Sequence, residues 1–133
     1  MPLIRPEILH IEERNCIIKD IYNIDLALHM TNQNNNPAKD LVPNDVNFNK
    51  NVRIFILAGP NRGGKTVYTE AVGLAQVLFQ AGVYIPCQHA KISPVDSIYV
   101  HFPVDEYQTV EYGRLGEESK RLKEIFRWQR ITA

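Results

Sequence analysis

Residues 53–66 read Arg-Ile-Phe-Ile-Leu-Ala-Gly-Pro-Asn-Arg-Gly-Gly-Lys-Thr, an apolar run that passes without a break into a glycine-rich turn. Ile54, Phe55, Ile56 and Leu57 show no polar alternation, which predicts a strand buried on both faces of a parallel sheet. Gly59, Gly64, Lys65 and Thr66 then meet the spacing G-x-x-x-x-G-K-[ST]. Glycines at those places let the backbone turn tightly and aim successive N–H groups at an anion. Lys65 adds a compact charge suited to terminal phosphates, and the Thr66 hydroxyl suits Mg²⁺. Beyond the turn, Val67, Ala71, Leu74, Ala75, Leu78 and Phe79 recur at helical spacing, with Gly82 as a stop. A helix starting at the loop points its positive end at the same anion. Strand, turn and helix together predict a nucleoside triphosphate site; the plainer alternative is a glycine-rich turn with no ligand.

Composition narrows the partners. The chain has 133 residues, enough for one domain with a core but short for a complete doubly wound ATPase. Basic and acidic residues both number 15, so the formal net charge is zero and shows no nucleic-acid or membrane footprint. No apolar stretch reaches bilayer length, and the N-terminus shows no charged-then-apolar signal pattern. Cys16 and Cys87 match no zinc spacing and read as reduced thiols of a cytoplasmic protein. His10, His29, His89 and His101 likewise lack ligand spacing.

Along the chain, residues 16–30 alternate across 17–21 and 24–28 and predict one or two early strands. Residues 31–39, rich in Asn, predict a solvated loop, and residues 41–48 lead to a turn at Asn49, Lys50 and Asn51. Short strands are expected at 83–85, around 90–92 and at 97–102, punctuated by Pro86, Pro94 and Pro103. A second helix is expected from Arg114 to about Gln129, with Leu115, Leu122, Ile125 and Phe126 as its apolar stripe. Strands alternating with helices predict an α/β fold with a mixed or parallel sheet flanked by helices.

Several of these segments, in order, resemble the ATPase domain of the MutS family. Gly59-Pro60-Asn61-Arg62-Gly63-Gly64-Lys65-Thr66 is close to that family's phosphate loop. Gln80-Ala81-Gly82-Val83-Tyr84-Ile85-Pro86-Cys87 and the run from Ala90 to Tyr99 are similar to the family segments that follow it. Leu41-Val42-Pro43-Asn44-Asp45-Val46 resembles the segment that lines the family's adenine pocket. The resemblance covers residues 40–126 well and the first 39 loosely. It implies an ABC-like P-loop NTPase domain, here its N-terminal half: residues 1–39 with early strands and the Asn-rich loop, and 40–133 as nucleotide-binding core. It implies ATP or ADP with Mg²⁺ as ligands, contacts from residues 59–66 and from Leu41, Val42 and Asn44, and Thr66 on the metal.

Two departures accompany the resemblance. Gly113 stands where the family has a Ser or Thr that crosses a dimer interface, and Arg114 or Thr109 are candidates for that contact. The family's Walker B strand would follow the second helix, where this sequence ends at Ala133. No catalytic residue is therefore assigned, and the chain alone is expected to bind nucleotide without turnover, with an unpaired sheet edge and exposed apolar surface. Asp105 and Glu106 imitate Walker B carboxylates, but Pro103 argues for a loop there. By resemblance, a longer protein would hydrolyse ATP, couple nucleotide state to DNA held by other domains, and pair as a homodimer or heterodimer. The alternatives are a non-hydrolytic nucleotide-binding or assembly module, an incomplete gene product, or a small-molecule kinase, for which no lid pattern is found.

Overall fold

The computed structural model describes residues 2–60, 64–102 and 113–132. The chain divides into two compact units, Met1–Ile98 and Tyr99–Ala133. The first is built on a four-stranded sheet of β1 (Glu7–Ile8), β2 (Cys16–Ile21), β3 (Asn44–Phe48) and β4 (His89–Ile92), in the order β1-β4-β2-β3. β1 is parallel to β4, whereas β2 is antiparallel to both β4 and β3, so the sheet is mixed. The alternation expected across 17–21 is present with one correction. Ile18 and Ile21 are both buried, three apart, which strict period two forbids. The pairing register shifts between them, and Asp20 takes a left-handed φ of 55° at the shift. An extra residue there returns Ile21 to the inner face.

Helix α3 (Lys65–Gln80) covers that face. Its Ala71, Ala75 and Phe79, spaced by four, join Ile18, Ile21, Val46, Ile85, Cys87, Ala90 and Ile92 in one core. The alanines leave room for a close approach of helix to sheet. The expected stop at Gly82 is present. Gly82, at φ 77°, donates to the Phe79 carbonyl (3.0 Å) and Val83 donates to the Leu78 carbonyl (3.1 Å), the paired bonds of a Schellman ending. Gln76 and Gln80 then tie the helix to the next segment. Gln76 Nε2 donates to the Ser93 carbonyl (3.1 Å), and Gln80 Oε1 accepts from the Val95 N–H (2.9 Å).

Five sequence expectations differ from the structure. Residues 24–28 belong to helix α1 (Ile24–Asn32), not a strand, because Asn23 caps it by accepting from the Leu26 N–H. The Asn-rich segment holds the end of α1 and a one-turn helix α2 (Pro37–Asp40), capped by Asn36 with proline in its first turn. Residues 97–102 carry no strand, and Ile85 makes an isolated bridge to Ile4 in place of a strand over 83–85. The largest difference concerns residues 54–57. They form no ladder with any described strand; Ile54 is 81% and Ile56 89% exposed. A doubly buried strand needs a neighbour on each side, and β2, β3 and β4 pair among themselves instead.

In the second unit α4 (Gly113–Thr132) matches the expected helix, and Arg121 Nη1 donates to the Phe102 carbonyl (2.8 Å). Its Phe126 is exposed and Ile125 half-buried. Pro103, Asp105, Glu106, Gln108 and Thr109 lie outside the described residues, as does the side chain of Arg114. No helix among the described residues is long and apolar enough to cross a membrane.

Candidate functional site at the start of the long helix

Gly64 is the N-cap of α3 at φ 83°, a left-handed conformation in which a side chain would be strained. Gly59 has no such need, since a Cβ there would meet Lys65 Cδ at an ordinary 4.0 Å. Lys65 opens the helix and folds back across the turn, its Nζ donating to the Gly59 carbonyl at 2.7 Å. The ammonium is thereby held beside the Gly59 carbonyl, close to the helix start. Among the described residues no side chain caps this end, and the first N–H groups of a helix have no intrahelical partner. Thr66 is exposed on that first turn. Asn61, Arg62 and Gly63 lie outside the described residues.

A cavity of about 360 Å³ opens beside this turn. Gly64, Lys65 and Tyr68 line one side, Asn44 and Asp45 another, and Phe55, Leu57 and Ala58 make an apolar flank. The structure therefore brings Asn44 together with Gly64 and Lys65. Leu41 is half-buried and Val42 is 75% exposed, and neither stands in that wall. Phe55 is fixed against Phe48 of β3, ring centroids 5.2 Å apart in an edge-to-face arrangement.

Three residues not singled out from the sequence hold this site. Tyr68 Oη donates to the Asp45 carbonyl (2.9 Å), joining α3 to β3. Asp45 Oδ1 accepts from the Asp20 N–H (3.0 Å), joining β3 to the irregularity in β2. Asn23, buried at the start of α1, donates through Nδ2 to the Val67 carbonyl (3.1 Å) on the first turn of α3. Burial raises the Tyr68 phenol above its ordinary pKa, and the neighbouring Cys16 and Asp45 push it the same way, so it remains a neutral donor. Burial also pushes the Cys16 and Cys87 thiols up from 9.0 to about 11, which leaves both unreactive at neutral pH.

A larger cavity of about 680 Å³ lies on another side of α3, between Cys16, Phe48, Val72, Gln76 and Ser93. Its lining holds one cation, Arg14, together with the carboxylates of Glu12 and Asp96, which offset that charge toward an anion.

A mixed-sheet α/β unit with a lysine-bearing glycine turn at a helix start is the class of domain these features define. The family described as MutS domain V matches residues 55–128, more than half of this sequence, and the chain belongs to that family. The DNA mismatch repair protein spellchecker 1 of Drosophila melanogaster is 34% identical over 100 residues, covering 73% of this chain and 10% of that protein. The DNA mismatch repair protein MSH3 of Scheffersomyces stipitis is 31% identical over 99 residues, covering 74% of this chain and 8% of its own length. The DNA mismatch repair protein MutS of Fervidobacterium nodosum is 40% identical over 60 residues, covering 45% and 7%. The chain thus spans a tenth or less of the length of these relatives.

Proposed function

We propose that the turn at residues 59–66 and the start of α3 bind ATP or ADP with Mg²⁺, as part of a P-loop NTPase domain. The observation that carries this reading is the Lys65 ammonium pinned across the turn at Gly59, beside uncapped helix N–H groups and an adjoining cavity. Polyphosphate oxygens need a fixed cation and converging N–H donors, and the cavity leaves room for a nucleoside beyond them. Gly59, Pro60, Asn61, Arg62, Gly63, Gly64, Lys65 and Thr66 are the phosphate contacts in this reading, with Leu41, Val42 and Asn44 on the base side. Mg²⁺ takes one or two protein oxygens and fills its octahedron with phosphate and water, so the exposed Thr66 hydroxyl fits as its single protein ligand.

In this reading the chain is the nucleotide-binding portion of a longer cytoplasmic ATPase of DNA mismatch repair. Nucleotide state is coupled there to DNA held by other domains, and the protein works as a homodimer or heterodimer. The names of the relatives support the repair assignment. Calorimetric titration of the folded chain with Mg²⁺-ADP tests the core of it. Saturable binding is expected, weakened about 10- to 100-fold by Lys65→Ala through loss of a charge-assisted contact. A folded chain that takes up no heat of binding at millimolar nucleotide would overturn the reading.

A further inference from the structure

We infer that Tyr68 is a positioning residue for the nucleoside end of this site: through the Asp45 carbonyl it sets where the start of β3 stands relative to the phosphate-binding turn. The inference rests on the nucleotide reading above and assigns the base-side geometry to a residue that touches no phosphate.

Tyr68 follows Lys65 by one helical turn, so both stand on the same side of α3 and both line the smaller cavity. Lys65 serves the turn at Gly59, while the Tyr68 hydroxyl reaches the opposite wall and donates to the Asp45 carbonyl at 2.9 Å. β3 is an edge strand whose one described neighbour is β2. A carbonyl on such an edge needs a partner from elsewhere, and here that partner comes from the helix carrying the lysine. The other side of the same residue is also tied down. The Asp45 carboxylate accepts from the Asp20 N–H (3.0 Å) at the point where Asp20 adopts its left-handed φ. Asn44, adjacent to this double anchor, is the polar group that β3 presents to the cavity beside Asp45. Anything occupying the space between Lys65 and Asn44 is therefore measured by a distance that the Tyr68–Asp45 bond fixes.

The phosphates and the base answer to different parts of this arrangement. The Lys65–Gly59 contact and the α3 N-terminus stay intact when the Tyr68 hydroxyl is removed; the β3 wall does not. Tyr68→Phe keeps the ring and its packing against the core. The matched ligands are Mg²⁺-ADP, which carries a nucleoside, and Mg²⁺-pyrophosphate, which does not. Calorimetry on the full chain is expected to show Mg²⁺-ADP affinity reduced about 3- to 10-fold in Tyr68→Phe, with pyrophosphate affinity within about twofold of the unaltered chain. Asp45→Ala, which frees the other anchor, is expected to give the same selective loss. Parallel loss of both ligands, or loss of neither, in a variant that melts as the parent does would overturn the assignment of Tyr68 while leaving the phosphate site standing. Failure of the unaltered chain to bind either ligand would overturn the nucleotide reading, and the role of Tyr68 with it.

Discussion

Helix α3 is amphipathic and the run at residues 54–57 before it is wholly apolar, yet it is the helix that the molecule buries. Ala71, Ala75 and Phe79 of α3 are buried against Ile18, Ile85 and Ile92, and the helix is tied down at its start by Asn23 and near its end by Gln76 and Gln80. Ile54 and Ile56 stand in solvent, and among the described residues no backbone ladder holds them. A helix satisfies its own backbone and needs one apolar face; a strand borrows its hydrogen bonds from neighbours far away in sequence. Apolar content therefore reports a capacity for burial, and the available partners decide whether it is used.

The strongest way to sharpen this contrast is to cut into the held region. Ile92 is fully buried at the meeting of β4, β2 and α3. Ile92→Ala removes three methylene equivalents and leaves a cavity, so equilibrium unfolding in urea is expected to show a loss of about 2–4 kcal/mol. A loss below about 1 kcal/mol would mean that the sheet and α3 are not packed as described.

Alkaline titration gives a smaller effect confined to the same region. The Cys16 and Cys87 thiols have folded pKa values of about 11 against an ordinary 9.0. A group whose acidity is weakened by folding binds its proton more tightly in the native state. Its stabilisation is complete below pH 9 and disappears as pH rises toward 11, because the unfolded thiols ionise first. Unfolding free energy is expected to fall by about 1–2 kcal/mol for each thiol across that interval. The burial-raised phenols of Tyr22 and Tyr68 add a change of the same sign at higher pH. A Cys16→Ala/Cys87→Ala variant is expected to lose most of the slope between pH 9 and 10; an unchanged slope would show that the thiols are not desolvated.

What could be read from the sequence divides along the same line. The α3 pattern, its Gly82 stop and the G-x-x-x-x-G-K-T spacing are local signals, and the helix, its ending and the left-handed Gly64 follow them. β2 and β4 show their alternation directly, though the bulge at Asp20 depends on pairing with β3 and leaves no local mark. Residues 24–28 offered a two-residue alternation too short to separate from a helix, and the decisive signal was the Asn23 cap. In the site, Gly64, Lys65 and Asn44 are legible because each belongs to a segment motif. Tyr68 is not: its hydrogen bond spans 23 residues to a backbone carbonyl, and a carbonyl has no residue signature.

The smallest effect on stability is expected where hydrophobicity is greatest. Ile54→Thr/Ile56→Thr replaces two side chains that are 81% and 89% exposed, so little transfer free energy is at stake. Threonine keeps the β-branched backbone preference, which separates the loss of apolar surface from any change in chain conformation. The unfolding free energy from urea titration is expected to change by less than about 0.5 kcal/mol, while light scattering during concentration or heating falls. Those exposed isoleucines present apolar surface that other molecules can cover, so reduced self-association follows from removing it. If instead the double variant unfolds with a loss above about 2 kcal/mol, residues 54–57 are held in a sheet and the contrast with α3 disappears. Because Phe55 and Leu57 of the same run line the smaller cavity, Mg²⁺-ADP affinity in the variant gives an independent reading: it stays near the parent value if the run keeps its path beside Lys65.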